Sequence, residues 1–198
     1  MTHSITPLDP ETRAADSRSV FGFWAYLMTD LVLFASLFAV FAVMRGNTFG
    51  GPGASEIADM PRALLETILL LSSSFSCGLM LLFARRARRG AVLALLAVTL
   101  ALGALFVFSE LTEFASLVAA GDGPSRSGFL SAYFTLVGTH GLHVSIGILW
   151  GLVLFGAIAL RGLDRSTMRK IAYFGLFWHF LELVWIFIFT IVYLMSLV

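Results

Sequence analysis

The stretch SGFLSAYFTLVGTHGLHVSIG, residues 127–147, decides how the chain is read. It is apolar enough and long enough to belong to a membrane-spanning helix, yet it carries His140 and His143. Burying an imidazole's polar atoms in hydrocarbon costs free energy unless a partner meets them. A second run of this kind, WHFLELVW at 178–185, places His179 and Glu182 inside the last apolar segment. These polar groups, and what they do at membrane depth, are the question the sequence poses.

The rest of the composition agrees with a membrane setting. Of 198 residues, 59% are hydrophobic and 13% are charged. Soluble domains carry about 25% charged residues. The chain lacks the polar surface to cover a water-soluble globule, so the fold class is all-α, an integral membrane bundle. Phe alone contributes 19 residues, which suits packing of helices against one another and against lipid. A net charge of +1 gives no general attraction to nucleic acid, and no nucleic-acid partner is expected. The single cysteine, Cys77, cannot form an intrachain disulfide and reads as a small buried hydrophobe. Residues 1–19 are polar with mixed charge and contain no apolar core, so they read as a disordered tail rather than a cleaved signal peptide.

From residue 20 onward one domain of five transmembrane helices is expected, 20–198. The helices fall at about 20–44, 62–84, 91–118, 128–160 and 171–198. Each has enough residues to cross ~30 Å of hydrocarbon at 1.5 Å per residue. The connections are a Gly- and Pro-rich loop at 45–61, the basic cluster RRARRG at 85–90, the loop AAGDGPSRS at 119–127, and RGLDRSTMRK at 161–170. Small residues in SSSFSCG, 72–78, let helices approach closely. Five crossings put the termini on opposite sides. The tail holds Arg13 and Arg18, and the 85–90 loop holds Arg85, Arg86, Arg88 and Arg89. The 161–170 loop adds Arg161, Arg165, Arg169 and Lys170, so one side has ten cations. The other side has three, Arg45, Arg62 and Arg126. The positive-inside rule then sets the N-terminus in the cytoplasm and the C-terminus in the periplasm.

Within the spans lie Asp30, Glu66, Glu110, Glu113, His140, His143, His179 and Glu182, and no Lys or Arg away from the span ends. The acids therefore have no evident cationic partner in this chain. Three pairs have an i, i+3 spacing, Glu110/Glu113, His140/His143 and His179/Glu182, which sets both members on one helix face. Counting from the cytoplasmic ends gives two depths. Asp30, His179 and Glu182 lie roughly 12–17 Å in, and the other five roughly 26–33 Å in. Hydrogen bonding between the outer histidines and acids of neighbouring helices, with Asp30 bridging to His179 or Glu182, is the structural expectation. Glu66, near a span end, has room to snorkel outward. Trp24, Trp150 and Trp185 read as packing residues.

Two sharper functions compete. His-x-x-His beside Glu-x-x-Glu supplies metal-binding side chains, but helical di-iron sites use Glu-x-x-His, which is absent here. A haem between His179 and His140 or His143 meets the same mismatch of depth. A proton-coupled transporter using Asp30 and the Glu pair would be expected to show an internal repeat or broken helices, and the sequence has no clear repeat. Metal ligands and catalytic residues are therefore assigned to none of these positions. The eight residues form an intramembrane polar network, a site for lipid or protons.

The residues also resemble a known family. THGLHV at 139–144 and FWHFLELVWIF at 177–187 are similar to signatures of subunit III of the haem-copper respiratory oxidases. FGFWAYLMTDLVLF at 21–34 and GPSRSGFLSAYFTLVGTHGLHV at 123–144 are most similar to the ubiquinol-oxidising, cytochrome o branch. The resemblance covers about Phe21 to Ser196 and has its motifs in order. Five helices fit the bacterial form. Glu182 stands where many relatives carry Asp, and Asp30 where cytochrome c-using members carry a buried Glu.

The resemblance implies a chain that belongs to an enzyme complex without being catalytic itself. It implies no cofactor in this chain, with haem and copper in a partner subunit I, on which the chain packs. It implies bound phospholipid, subunits I, II and IV as partners, and a bacterial inner membrane location. Ubiquinol is then used by the complex and not bound by this chain. Subunit III of a cytochrome c oxidase is the neighbouring reading within the family, and a His/Glu metalloenzyme is the reading outside it.

Overall fold

The computed structural model describes residues 10–57 and 59–196, all helical or in short connections. Helix α1 runs Pro10–Met44, α2 is the short Ala54–Ile57, α3 is Met60–Arg85, α4 is Arg89–Ala119, α5 is Gly128–Arg161 and α6 is Arg165–Ile188. A π-helical turn at Phe189–Tyr193 and a 3₁₀ turn at Leu194–Ser196 continue α6. Five of the helices are long and apolar enough to cross a membrane, as expected: Val20–Met44, Met60–Arg85, Arg89–Ala119, Gly128–Arg161 and Arg165–Tyr193. In lipid each backbone amide needs a partner within its own segment, so a long apolar run resolves into a helix.

The helices extend beyond the apolar runs. Helix α1 starts at Pro10, so residues 10–19, read as tail, continue it, and residues 1–9 of that tail lie outside the described residues. Helix α6 starts at Arg165 rather than near 171. The cause is local. Asp164 caps the helix, its Oδ1 accepting from Thr167 N at 2.7 Å, which makes the basic RSTMRK the first turns of α6. Hydrogen bonds from Thr167 to the exposed Asp164 carboxylate hold its pKa below the usual value. Asp59 caps α3 in the same way, accepting from Arg62 N at 3.3 Å with Pro61 in the first turn. Helix α2 interrupts the stretch read as a loop. Gly162, at φ 79°, ends α5 in the left-handed region that glycine adopts without strain.

Helices α3 and α4 pack closely through the small-residue patch. Ser73 Oγ donates to Thr99 O at 3.2 Å, and Ser76 Oγ to Leu95 O at 3.0 Å. Cys77 is fully buried among apolar side chains, as read. Trp178 fills the centre of the bundle. A Cβ added at Gly103 would lie 2.8 Å from its ring, and one at Gly147 would lie 3.1 Å away, so glycine at both points admits the indole. Its Nε1–H donates to Ser73 Oγ at 2.8 Å. Trp150 and Trp185 also pack in the interior face, whereas Trp24 is 48% exposed and points outward. Helix α1 lies at the side of the bundle and docks chiefly on α5, with a lesser contact to α6. At one end Arg45 Nη2 donates to Met195 O at 2.6 Å, and Phe129 N to Asn47 O at 3.2 Å. The end of α1, the start of α5 and the last turn of the chain therefore share one end of the molecule.

Candidate functional site

The polar residues separate into three groups. In the first, Asp30 and His143 meet across α1 and α5. His143 Nδ1 donates to Thr139 O at 2.8 Å, because a carbonyl only accepts, and this turns Nε2 toward Asp30 Oδ1 at 3.7 Å. Phe34 packs on the His143 ring, with centroids 5.2 Å apart, and Asp30 is 7% exposed. This overturns two expectations: Asp30 does not bridge to His179 or Glu182, and the two depths are not separate. The count from the cytoplasmic side assumed that all helices begin level. From the opposite end the two residues are nearly level: Asp30 is about four turns from Met44, and so is His143 from Gly128. Helix α5, with 34 residues, is ~51 Å long and overhangs the bilayer.

The second group is a cluster between α3, α4, α5 and the π-helical turn. Arg62 Nε lies 3.8 Å from Glu66 Oε1 and 3.9 Å from Glu113 Oε2. Its Nη2 donates to Ser109 O at 2.8 Å and to the Thr112 hydroxyl, and its Nε to Ser109 Oγ at 3.3 Å. The acids thus have a cation after all, from a residue at the first turn of α3 whose side chain reaches along the helix surface. Glu66 is 1% exposed, so it is a buried partner of Arg62 and does not snorkel. Glu113 Oε1 accepts from Tyr133 OH at 2.9 Å, and Tyr193 OH lies 3.1 Å from Tyr133 OH. Arg62, Tyr133 and Tyr193 are therefore members of the network that sequence reasoning missed. The π turn carries Tyr193, with its ring stacked on Phe189 at 6.4 Å. Glu110, 3% exposed, lies against Gly141, where a side chain would collide with its carboxyl.

The third group is His179, Glu182 and Ser74. Ser74 Oγ and His179 Nδ1 are 2.5 Å apart, and Glu182 Oε2 lies 3.7 Å from the same nitrogen. These side chains line a groove between α3 and α6.

The expected union of His140 and His143 with Glu110 and Glu113 does not form. Residues three apart on a helix differ by about 60° in direction, and α5 is wedged between neighbours on both sides. His140 turns toward α4 and α6, where Nε2–H donates to Leu181 O at 3.1 Å and the ring packs on Phe106 and Trp185. His143 turns toward α1. Glu113 is held by Tyr133 and Arg62. Among the described residues no three His, Cys, Asp or Glu side chains converge to hold a metal. What the arrangement does chemically is join helices: α1 to α5, α3 to α4, α4 to α5 and the π turn, and α3 to α6.

The Asp30–His143 contact makes a measurable prediction. Carboxyl–imidazole pairs between membrane helices contribute about 0.6–2 kcal/mol, and contacting residues are non-additive. Asp30→Asn and His143→Gln are expected to couple in a detergent-unfolding double-mutant cycle, whereas Glu113→Gln with His143→Gln is expected to be additive. Additivity for Asp30 with His143 would break the assignment.

The described residues form a helical bundle with five helices long and apolar enough to cross a membrane, tied to one another by polar side chains. Comparison with known proteins gives the family. The model of cytochrome c oxidase subunit III matches residues 9–197. Cytochrome bo(3) ubiquinol oxidase subunit 3 of Pseudomonas aeruginosa is 54% identical over 178 residues, covering 90% of this chain and 85% of that one. The protein of that name from Buchnera aphidicola is 42% identical over 182 residues, covering 92% and 94%. The probable quinol oxidase subunit 3 of Staphylococcus aureus is 36% identical over 199 residues, covering 100% and 98%. The chain belongs to the cytochrome c oxidase subunit III family.

Proposed function

We infer that the chain is the non-catalytic accessory subunit 3 of a proton-pumping terminal quinol oxidase in the aerobic respiratory chain. It forms one transmembrane domain, residues 20–198, in a bacterial inner membrane. It packs on the haem- and copper-bearing subunit I, beside subunits II and IV, and binds phospholipid. Ubiquinol is oxidised elsewhere in the complex. The observation that carries this reading is the 54% identity, across 90% of the chain, to a protein named as subunit 3 of a ubiquinol oxidase. The site fits it, because the polar side chains meet across helices and tie them together. The network of Asp30, Glu66, Glu110, Glu113, His140, His143, His179 and Glu182 then serves to hold the helices in register and to offer a site for lipid or protons.

A tagged chain isolated in mild detergent is expected to bring down haem-bearing subunits with quinol oxidase activity. A lone chain, or one that carries its own metal, would defeat the reading. The distribution of cations, ten against three, supports an N-terminus in the cytoplasm and a C-terminus in the periplasm. Cysteines introduced at Ser125 and at Arg88 test this. An impermeant thiol reagent added to intact cells is expected to label position 125 and spare 88; the opposite pattern reverses the orientation.

A further inference from the structure

We propose that Glu110 is a proton-binding site of the chain, loaded and emptied through the acids beside Arg62. This rests on the reading that the polar network offers a site for protons, and assigns that site to one carboxyl. Glu110 is 3% exposed, and its Oε2 has no hydrogen-bond partner among the described residues. No Lys, Arg or His side chain of the described residues pairs with it within 4 Å. The carboxyl is packed on the α5 backbone at Gly141, where an added Cβ would collide with both its oxygens. Beside it Val107, Leu111, Phe114 and Leu142 line an apolar cleft of about 240 Å³ between α4 and α5. A carboxylate in this niche would have neither a counter-charge nor, at Oε2, a donor. An isolated ionised carboxylate is costly enough to bury that the group takes up a proton instead.

The charges around it lead to the same assignment. Glu66 and Glu113 are buried too, and lie close enough to Glu110 to act on it as like charges. Arg62 is the cation within 4 Å of both. If all three acids were ionised, three negative charges would face one positive charge, and carboxylates that share a site do not all ionise. Glu66 and Glu113 take Arg62, and Glu113 also has the Tyr133 hydroxyl as a donor, so the proton falls to Glu110. The other ionisable groups turned toward the site are Tyr133 and His140 on α5 and Tyr193 on the π turn, and none carries a fixed charge. On α6, His179 and Glu182 face the groove toward α3 instead. The site also has a way out. Glu110 lies ~14 Å from the end of α4, and Glu113 and Glu66 lie ~9 Å from the ends of α4 and α3. Arg62, 26% exposed, stands in the first turn of α3 at that end. Loading forms an O–H bond at Oε2 with a proton from water there, and unloading returns it, with no oxidant or reductant taking part.

Infrared absorption of the purified complex tests this, because the C=O stretch of an un-ionised carboxyl is separate from the bands of a carboxylate. At neutral pH, subtracting the spectrum of Glu110→Gln from that of the native complex is expected to leave one un-ionised carboxyl band. In heavy water that band is expected to move to lower frequency, as exchange with the aqueous phase requires. Glu113→Gln is expected to keep it. A carboxylate band in its place, or no band, shows Glu110 ionised and overturns the proposal; a band unmoved by heavy water overturns the exchange. If Glu110→Gln does not assemble, Glu110→Asp keeps the acid and is expected to shift the band, and an unshifted band overturns the assignment. Haem recovered with the tagged chain reports separately on the accessory-subunit reading. Its absence overturns that reading, while the band of the chain itself still decides the proton site.

Discussion

Arg62→Leu is expected to destabilise the bundle by about 3 kcal/mol, because removing one partner of a buried ion pair leaves the other without its counter-charge. Arg62 is the cation within 4 Å of Glu66 and Glu113 among the described residues, and the two acids are 1% and 6% exposed. The value lies at the low end of the range because the Arg62 side chain is 26% exposed. The same substitution removes the hydrogen bonds to Ser109 and Thr112 that tie α3 to α4. If the loss comes from stranded acids, a triple variant Arg62→Leu, Glu66→Gln, Glu113→Gln recovers most of it. Detergent unfolding of the single and triple variants decides the matter. Equal stability of the two would mean that the cost lies in the lost hydrogen bonds.

Trp178→Ala is expected to cost about 2–3 kcal/mol, the value of a void on the order of 100 Å³ at ~24 cal/mol per Å³. In water such a change loses transfer free energy and also leaves a cavity. In a bilayer the surroundings are as apolar as the core, so the transfer part largely vanishes and the cavity part remains. Trp178 is 3% exposed, lies on Gly103 and Gly147, and donates to Ser73. Trp178→Phe keeps most of the packing and is expected to cost about 1 kcal/mol for the lost hydrogen bond. Trp24→Ala, at a 48% exposed position, is expected to change stability by less than about 0.5 kcal/mol. An effect at Trp24 equal to that at Trp178 would show that general loss of apolar bulk, rather than the central cavity, governs stability.

The five crossings were legible because hydrocarbon leaves the backbone no alternative to a helix. The pair spacings were legible as well, since helical periodicity alone puts His140 and His143 within about 60° of each other. Which neighbour each one faced was not legible. That depends on how α5 sits between α1 on one side and α4 and α6 on the other. The offset of about 60° between the two positions was enough to send their side chains to different helices. Depth was misjudged because apolar onset marks where a helix enters lipid, while α1 and α6 begin earlier. Arg62 was placed at a span boundary, yet its long side chain reaches Glu113 on another helix. Tyr133 and Tyr193 have no charge or pair spacing to mark them in the sequence. Their hydroxyls acquire meaning through Glu113, a relation of 20 residues in one case and of tertiary packing alone in the other.

The lateral position of α1 bears on biosynthesis. This helix leaves the ribosome before α3, α4 and α6, yet its main docking surface, α5, is made about 110 residues later than Asp30. Asp30 enters the membrane long before His143 exists. Roughly 110 residues separate them, and at about 5–20 residues per second the delay is roughly 6–20 s. During it Asp30 has no partner from α5, and an Asp at a helix centre carries an insertion cost of about 2.5–3.5 kcal/mol. Helices α3 and α4, joined by a short turn, are able to pair as soon as both are made, so the bundle closes from its middle. Helix α1 gains its main docking surface, and Asp30 its imidazole neighbour, only once α5 is made.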